Sequence, residues 1–391
     1  MLKAFKYKLN PNKEQIILLN KHIGACRFIF NLALETKQMA YIGSKHNLSC
    51  FDLHSQLKDL KEELPWLKEI NSQSLQQAIT NLDKAYTAFF KGQNDFPNFK
   101  KKTNKGSFNI PQRVKIEDNK LIIPKFSKKN GINVILHRPL KGEIRQATIS
   151  RTPTGKYFVS VLCETGEANK VKPEITEETC IGVDLGIKDF AITSDGEVFE
   201  NPKYLRKAQS KLKYVQRKYS KHKGKRTRKK LAKLHEKVAN KRKDYLHKVS
   251  SRLISENQTI CLENLNVSGM IKNHNLAQAI SDVSWSSFVT MLEYKAEWYG
   301  VNILRIGRFE PSSKTCSNCG SINKELTLKD RVWTCKGCKT EHDRDVNAAI
   351  NIKNFSLRNI LSGTDRKNHD ELPTLVGVMT HEAHPIASGV G

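Results

Sequence analysis

Apolar and polar residues alternate over positions 1–9, the period of a strand, until Asn10-Pro11-Asn12 breaks the pattern and supplies a helix start. From Lys13 to about Gln93 the apolar residues fall near a 3.6-residue period. Ile16, Leu19, Ile23, Phe30 and Leu34 make one stripe, Leu53, Leu57 and Leu60 a second, and Leu75, Ala78, Ile79, Leu82, Tyr86 and Phe89 a third. Such stripes predict a helix-bundle core. Phe96-Pro-Asn-Phe-Lys-Lys-Lys ends the helical pattern. Short β-like runs follow at 107–110, 121–123, 132–136, 144–150 and 157–163, separated by Pro, Gly and Asn turns. They predict a barrel or sandwich. With the first strand they can form one β domain holding the helices as an insertion, although pattern alone also allows contiguous separate domains.

Residues 164–178, rich in Glu, Thr and Lys, read as a linker, and an alternating α/β pattern begins beyond it. An apolar strand, Cys180-Ile-Gly-Val-Asp184-Leu, turns into a second one closed by the hairpin signal Asp195-Gly196. Leu205, Leu212, Val215 and Tyr219, then Leu231, Leu234 and Val238, keep helical spacing and predict a helical hairpin. Thr259-Ile-Cys-Leu-Glu263 is a further apolar strand ending in an acid. Trp285, Phe288, Leu292, Ala296 and Tyr299 mark a helix, Val301–Ile306 a strand, and Ala349, Ile352 and Phe355 the stripe of a helix that starts near Asp345. Gly363–Gly391 shows no sustained periodicity and reads as a flexible tail.

Composition adds charge to this outline. A net charge of +28 and a pI near 9.7 call for a polyanion, because so many cations repel one another unless phosphate or anionic lipid neutralises them. Nucleic acid is favoured, since no uninterrupted apolar run approaches a bilayer span and the start lacks a signal-peptide core. The basic turn of the hairpin, with Lys221, Lys223, Lys225, Arg226, Arg228, Lys229 and Lys230, has almost no compensating acids and reads as a phosphate-tracking surface. Charged runs of this kind are otherwise solvated faces, and Lys100–Lys102 is for that reason only a weak nucleic-acid signal.

Four of the nine cysteines form two Cys-x-x-Cys pairs, Cys316/Cys319 and Cys335/Cys338, the spacing of a closed tetrahedral zinc site that stabilises a small ribbon. The other five are scattered singly, as free thiols are in a reducing, cytoplasmic compartment. A carboxylate in an apolar strand is costly unless something positive meets it, so Asp184 and Glu263 stand out. Asp345, in a first helical turn, could by itself be only a cap or a dipole partner. Together the three acids suit Mg²⁺ or Mn²⁺ in a hydrolytic two-ion site. Asp184 would bridge both ions, Glu263 would hold the ion that activates water, and Asp345 would complete the other shell.

Gly182-Val-Asp184-Leu-Gly-Ile, Leu262-Glu263-Asn-Leu, the paired Cys-x-x-Cys ribbon and Asp343-Arg-Asp345-Val-Asn-Ala-Ala-Ile-Asn-Ile resemble the nuclease motifs of the TnpB family, encoded by insertion-sequence transposons and similar to compact type V CRISPR effectors. The likeness extends to Tyr7-Lys-Leu-Asn-Pro, Gln73-Ser-Leu-Gln-Gln-Ala and Phe96-Pro-Asn-Phe-Lys. One departure is Lys339 after the last ribbon cysteine, where family members often have Gly.

The resemblance implies an α/β multidomain fold. A β-barrel wedge domain (1–12 and 94–170) is interrupted by a helical recognition domain (13–93). An RNase H-like RuvC domain (171–312, with the basic hairpin at 203–250) is interrupted by the zinc ribbon (313–340) and resumes in a helix at 341–362, before the tail at 363–391. It also implies an RNA-guided DNA endonuclease, acting as a monomer on one guide RNA from the transposon end and cutting double-stranded DNA beside a short adjacent motif. Catalytic Asp184, Glu263 and Asp345 and zinc on the four ribbon cysteines carry over by motif. A nuclease-silent RNA-guided binder and a metal-dependent transposase are the competing readings.

Overall fold

A computed structural model describes residues 1–126, 130–327 and 329–361. The tail expected at 363–391 lies outside the described residues. The chain divides into two compact units, Met1–Glu167 and the residues from Ala168 onward.

The first unit opens with β1 (Leu2–Asn10), followed by α1 (Lys13–Ser44), α2 (Cys50–Glu63), a 3-10 turn at Pro65–Glu69 and α3 (Ser72–Phe90). Six strands follow: β2 (Gly106–Ile110), β3 (Lys115–Glu117), β4 (Lys120–Ile122), β5 (Ile132–Ile135), β6 (Glu143–Arg151) and β7 (Tyr157–Glu164). They join β1 in one sheet of order β2-β6-β7-β1-β5-β4-β3. β1 lies inside this sheet, antiparallel to both β7 and β5, so the three helices are an excursion between its first strand and the rest. Asn12 starts α1 as a capping box, its side chain accepting from Gln15 N while Gln15 reaches back to Asn12 N.

By length and mean hydropathy α1 could cross a bilayer, but Lys21 and Arg27 interrupt it and no uninterrupted apolar run in it approaches that span. Its apolar side belongs to a water-excluded core instead: Leu19, Ile23, Ile29 and Leu34 pack in one cluster with Leu75 and Leu82 of α3 and Phe108 of β2. His22, also buried, accepts from Asn71 N at 3.2 Å, and burial holds its pKa down, so a neutral ring ties α1 to the start of α3.

The second unit is built on β8 (Cys180–Leu185), β9 (Asp189–Thr193), β10 (Val198–Glu200), α4 (Tyr204–His222) and α5 (Lys225–Glu256). The chain continues through β11 (Thr259–Leu262), α6 (Val267–Met270), α7 (His274–Val283), α8 (Trp285–Tyr299) and β12 (Asn302–Arg305). It ends in the hairpin β13 (Val332–Thr334) and β14 (Glu341–Asp343) and the helix α9 (Arg344–Leu361). The main sheet has the order β10-β9-β8-β11-β12. Its first three strands are an antiparallel meander, while β8, β11 and β12 run parallel.

Alternation along β8 and β11 explains the layering. Ile181, Val183, Leu185, Ile260 and Leu262 pack against Leu246, Val249 and Leu253 of α5 and Phe288 and Leu292 of α8. Cys261, on the other face, packs with Ile352 and Phe355 of α9. The sheet is therefore sandwiched between two helical layers. Tyr299, predicted to end the α8 stripe, is 58% exposed, because it is the last helical residue before Gly300 turns the chain at φ +72°.

Candidate active site and metal centre

Asp184 is the fifth residue of β8, and Glu263 directly follows β11. The parallel register Gly182↔Cys261 and Val183↔Leu262, carried one step further, sets the two acids side by side on the α9 face of the sheet. Gly182 is what lets α9 approach. A Cβ there would run into Ala349 O and lie 2.9 Å from Lys353 N. This close packing brings Asp345, the second residue of α9, into the field of Asp184. Burial, then the charges of Glu263 and Asp345, push the Asp184 carboxyl up to about 8, while Arg344 and Arg331 pull it down. Burial also raises Glu263, and a hydrogen bond from Ser312 Oγ at 2.7 Å opposes the rise.

Asp345 is not the helix cap. Asp343 does that work, its Oδ1 accepting from Asp345 N and Val346 N at 3.0 Å each, which leaves the Asp345 carboxylate for other partners. Arg331 Nη1 donates to both of its oxygens, at 2.9 and 3.3 Å, and Arg344 Nε stands 3.9 Å away. Sequence reasoning missed Arg331 and Ser312. Neither sits in an apolar strand, where a polar residue would be conspicuous.

The four cysteines converge as their spacing predicts. Their sulfurs all lie within 4.8 Å of one another, with Cys316–Cys338 and Cys319–Cys335 each at 3.6 Å. Four thiolates about 2.3 Å from one zinc ion stand about 3.8 Å apart, so the set fits zinc. Both knuckles turn in the same way: Gly320 N donates to Cys316 O and Lys339 N to Cys335 O, with Gly320 at φ +76° and Lys339 at φ +62°. Lys339 thus occupies a left-handed position that glycine adopts more readily. Among the described residues the cysteines are the one such cluster; the three carboxylates are spread more widely.

The ribbon is fastened to the acid-bearing helix by two buried asparagines one turn apart. Asn347 accepts from Ser317 N and donates to Thr315 O at 2.8 Å, and Asn351 donates to the carbonyls of Ser312 and Thr315. Asn351 thereby holds the same loop whose Ser312 hydroxyl orients Glu263. The spacing of these two residues along an otherwise apolar stripe was a usable sequence signal.

In the basic hairpin, Lys221 lies in the last turn of α4, Lys223 lies in the turn between the helices, and Lys225, Arg226, Arg228, Lys229 and Lys230 begin α5, all of them exposed. The first turn of α5 holds no acid, and its cap, Gly224, offers no side-chain acceptor. Cations at a helix N-terminus oppose the helix dipole, an arrangement that nearby phosphate would relieve.

Comparison with known proteins gives this geometry a family. Residues 285–352 match the family described as "Cas12f1-like, TNB domain", and residues 160–274 the one described as "Probable transposase", of the OrfB IS605 type. Over 359 residues the chain is 37% identical to a protein of Streptomyces pristinaespiralis named "Putative RNA-guided DNA endonuclease", covering 90% of this chain and 88% of that protein. The chain belongs to the TnpB family. InsQ of Escherichia coli K12, which bears the same description, is 32% identical over 375 residues, covering 90% of this chain and 91% of InsQ. Among TnpB proteins the likeness reaches L770 of Acanthamoeba polyphaga mimivirus, at 24% identity over 90% of this chain and 73% of L770. In fold the chain is similar to Cas12f1 in its solved complex with sgRNA and target DNA, with a TM-score of 0.54 and 14% identity over 88% of this chain and 83% of that one. Residues 1–45 match a family described as "Helix-turn-helix domain", yet here they form one strand and one long helix.

Proposed function

We propose that this TnpB-family chain is an RNA-guided DNA endonuclease that hydrolyses phosphodiester bonds at an RNase H-like, RuvC-type centre formed by Asp184, Glu263 and Asp345. The observation that carries the reading is the packing of α9 on β8 at Gly182, which brings Asp345 towards Asp184 and Glu263, side by side at the ends of β8 and β11. Three acids from a strand, a strand end and a helix start share one electrostatic field, and the nearest guanidiniums do not cancel it. A group of acids of this kind suits divalent cations. The meander of β8–β10 followed by parallel β11 and β12, with α9 packed on β8, supports the RNase H-like assignment.

Asp184 would ligate two Mg²⁺ or Mn²⁺ ions, with Glu263 and Asp345 each completing one shell. When bound, the ions supply Lewis acidity and a water made nucleophilic at neutral pH. Ser312 fixes the Glu263 carboxylate. Arg331 and Arg344 limit repulsion within the metal-free cluster and would offer donors to a phosphodiester's oxygens. The cysteine ribbon, closed by structural zinc, holds Arg331 and, through Asn347 and Asn351, the acid helix. The basic hairpin, with Lys221, Lys223, Lys225, Arg226, Arg228, Lys229 and Lys230, tracks the phosphates of guide or target. On this reading one copy of the chain works with one guide RNA in a prokaryotic cytoplasm, and base pairing reads the target.

The test is cleavage of a plasmid library by protein purified with co-expressed transposon-end RNA, in Mg²⁺ or EDTA. The parent should give guide-dependent cuts beside a common short motif, and EDTA should abolish them. Asp184→Ala should lower the rate by about a thousandfold or more. Guide-dependent binding without cuts by the parent would instead favour a nuclease-silent binder, and strand-joined products a transposase.

A further inference from the structure

We propose that residues 90–102 of the first unit form a stacking surface for unpaired nucleotides, a site distinct from the basic hairpin. The proposal rests on the nucleic-acid reading above.

α3 ends at Phe90, the chain turns at Gly92 with φ +67°, and no helix or strand follows before Gly106. The segment is pinned all the same. Phe96 packs edge-on against both Tyr86, at 5.5 Å and 89°, and Phe89, at 5.3 Å and 85°, and Pro97 is buried. The Asn31 side chain brackets the backbone of Lys100, accepting from its N–H at 2.8 Å and donating to its carbonyl at 3.0 Å, as a neighbouring strand would. The Lys100 ammonium folds inward, 3.6 Å from the centroid of the Phe30 ring.

Three anchors thus fix the backbone beyond α3, and Phe99 stays 49% exposed; Phe90, closing α3 with its ring 6.2 Å from Tyr86 and 5.3 Å from Phe89, is 76% exposed, and Lys91, Lys101 and Lys102 outnumber the one exposed acid, Asp95. Holding a loop rigidly while two phenylalanine rings face water gains nothing for folding, since burial is what makes an aromatic side chain stabilising. Rigid, exposed rings among ammonium groups are what a single-stranded nucleic acid requires: π-faces for its bases and cations for its phosphates. The charge excludes an apolar protein face as the natural partner. A duplex is a poor fit too, because its base faces are already stacked. The shared ligand chemistry is an unpaired nucleotide, from RNA or from displaced DNA.

Full-length protein carrying Phe90→Ala and Phe99→Ala is compared with the parent for binding of fluorescent dT20, rU20 and a 20-base-pair duplex by anisotropy. Single-strand affinity should fall about tenfold, with duplex affinity unchanged within about twofold. Phe90→Tyr with Phe99→Tyr should restore it. Loss confined to rU20 or to dT20 assigns the site to RNA or to DNA. Undiminished single-strand binding, an equal loss for the duplex, or failure of the tyrosine variant to restore affinity overturns the proposal while leaving the nucleic-acid reading intact. A parent that binds none of the three probes overturns both.

Discussion

The second unit carries two constellations of ligand-type residues built on opposite plans. The cysteines come from two knuckles within residues 316–338, and each knuckle folds on local backbone hydrogen bonds of its own. The acids come from β8, the end of β11 and the start of α9, and they meet only when sheet and helix have packed. A local site can be closed, with every ligand facing inward on one ion. The distributed site keeps its carboxylates spread and unequal, with Asp184 raised by burial to about 8 and Asp345 paired to Arg331. On the proposed reading, structural and catalytic metal chemistry are separated by how much of the fold each needs.

Breaking the local site should have the largest effect. Cys335→Ser should abolish stoichiometric zinc, read by elemental analysis, and melt the ribbon. Structural zinc contributes on the order of 10 kcal/mol in isolated fingers, so its loss should also free Arg331 and the Asn351 anchor and remove cleavage. The main sheet should persist, seen as retained far-ultraviolet circular dichroism.

Gly182→Ala strikes the distributed site alone. Its methyl group has no space beneath Ala349 O, so α9 must move off β8, at a cost of about 1–3 kcal/mol or more in thermal or denaturant unfolding. Cleavage should fall by at least about a hundredfold with zinc content unchanged, because a displacement of about 1 Å is enough to spoil a catalytic geometry. The smallest effect is a gain. Lys339→Gly relieves the left-handed backbone after the last ligand and should stabilise the ribbon by up to about 1 kcal/mol, measured as resistance to zinc chelation, without altering cleavage.

The same contrast governed what the sequence disclosed. Cys316 to Cys338 were legible because spacing alone encodes a knuckle. Asp184 and Glu263 stood out because an acid in an apolar strand is an energetic anomaly, whereas Asp345 became a candidate only in their company. What pattern could not supply was the packing that joins them. The closeness of α9 at Gly182, Arg331 on Asp345 and Ser312 on Glu263 are tertiary contacts between residues unremarkable in their own segments. The long strands of the first unit were readable from alternation, but three-residue β3 and the short α6 and α7 were not, since so few residues define no period. Lys339 was visible as a departure; its consequence became visible only as a φ angle.

The central claim is that the three acids form a cation site distinct from the zinc centre, and Mn²⁺ binding to zinc-loaded protein tests it most directly. The raised Asp184 carboxyl is largely protonated at pH 7 in the metal-free protein and must lose that proton on binding, so affinity should tighten as pH rises through about 8. Calorimetry should show Mn²⁺ bound by the parent, more tightly at pH 8.5 than at pH 7. With Asp184→Asn, Mn²⁺ binding and its pH dependence should be lost while zinc stays at one per chain. Unchanged Mn²⁺ binding by that variant would contradict the account.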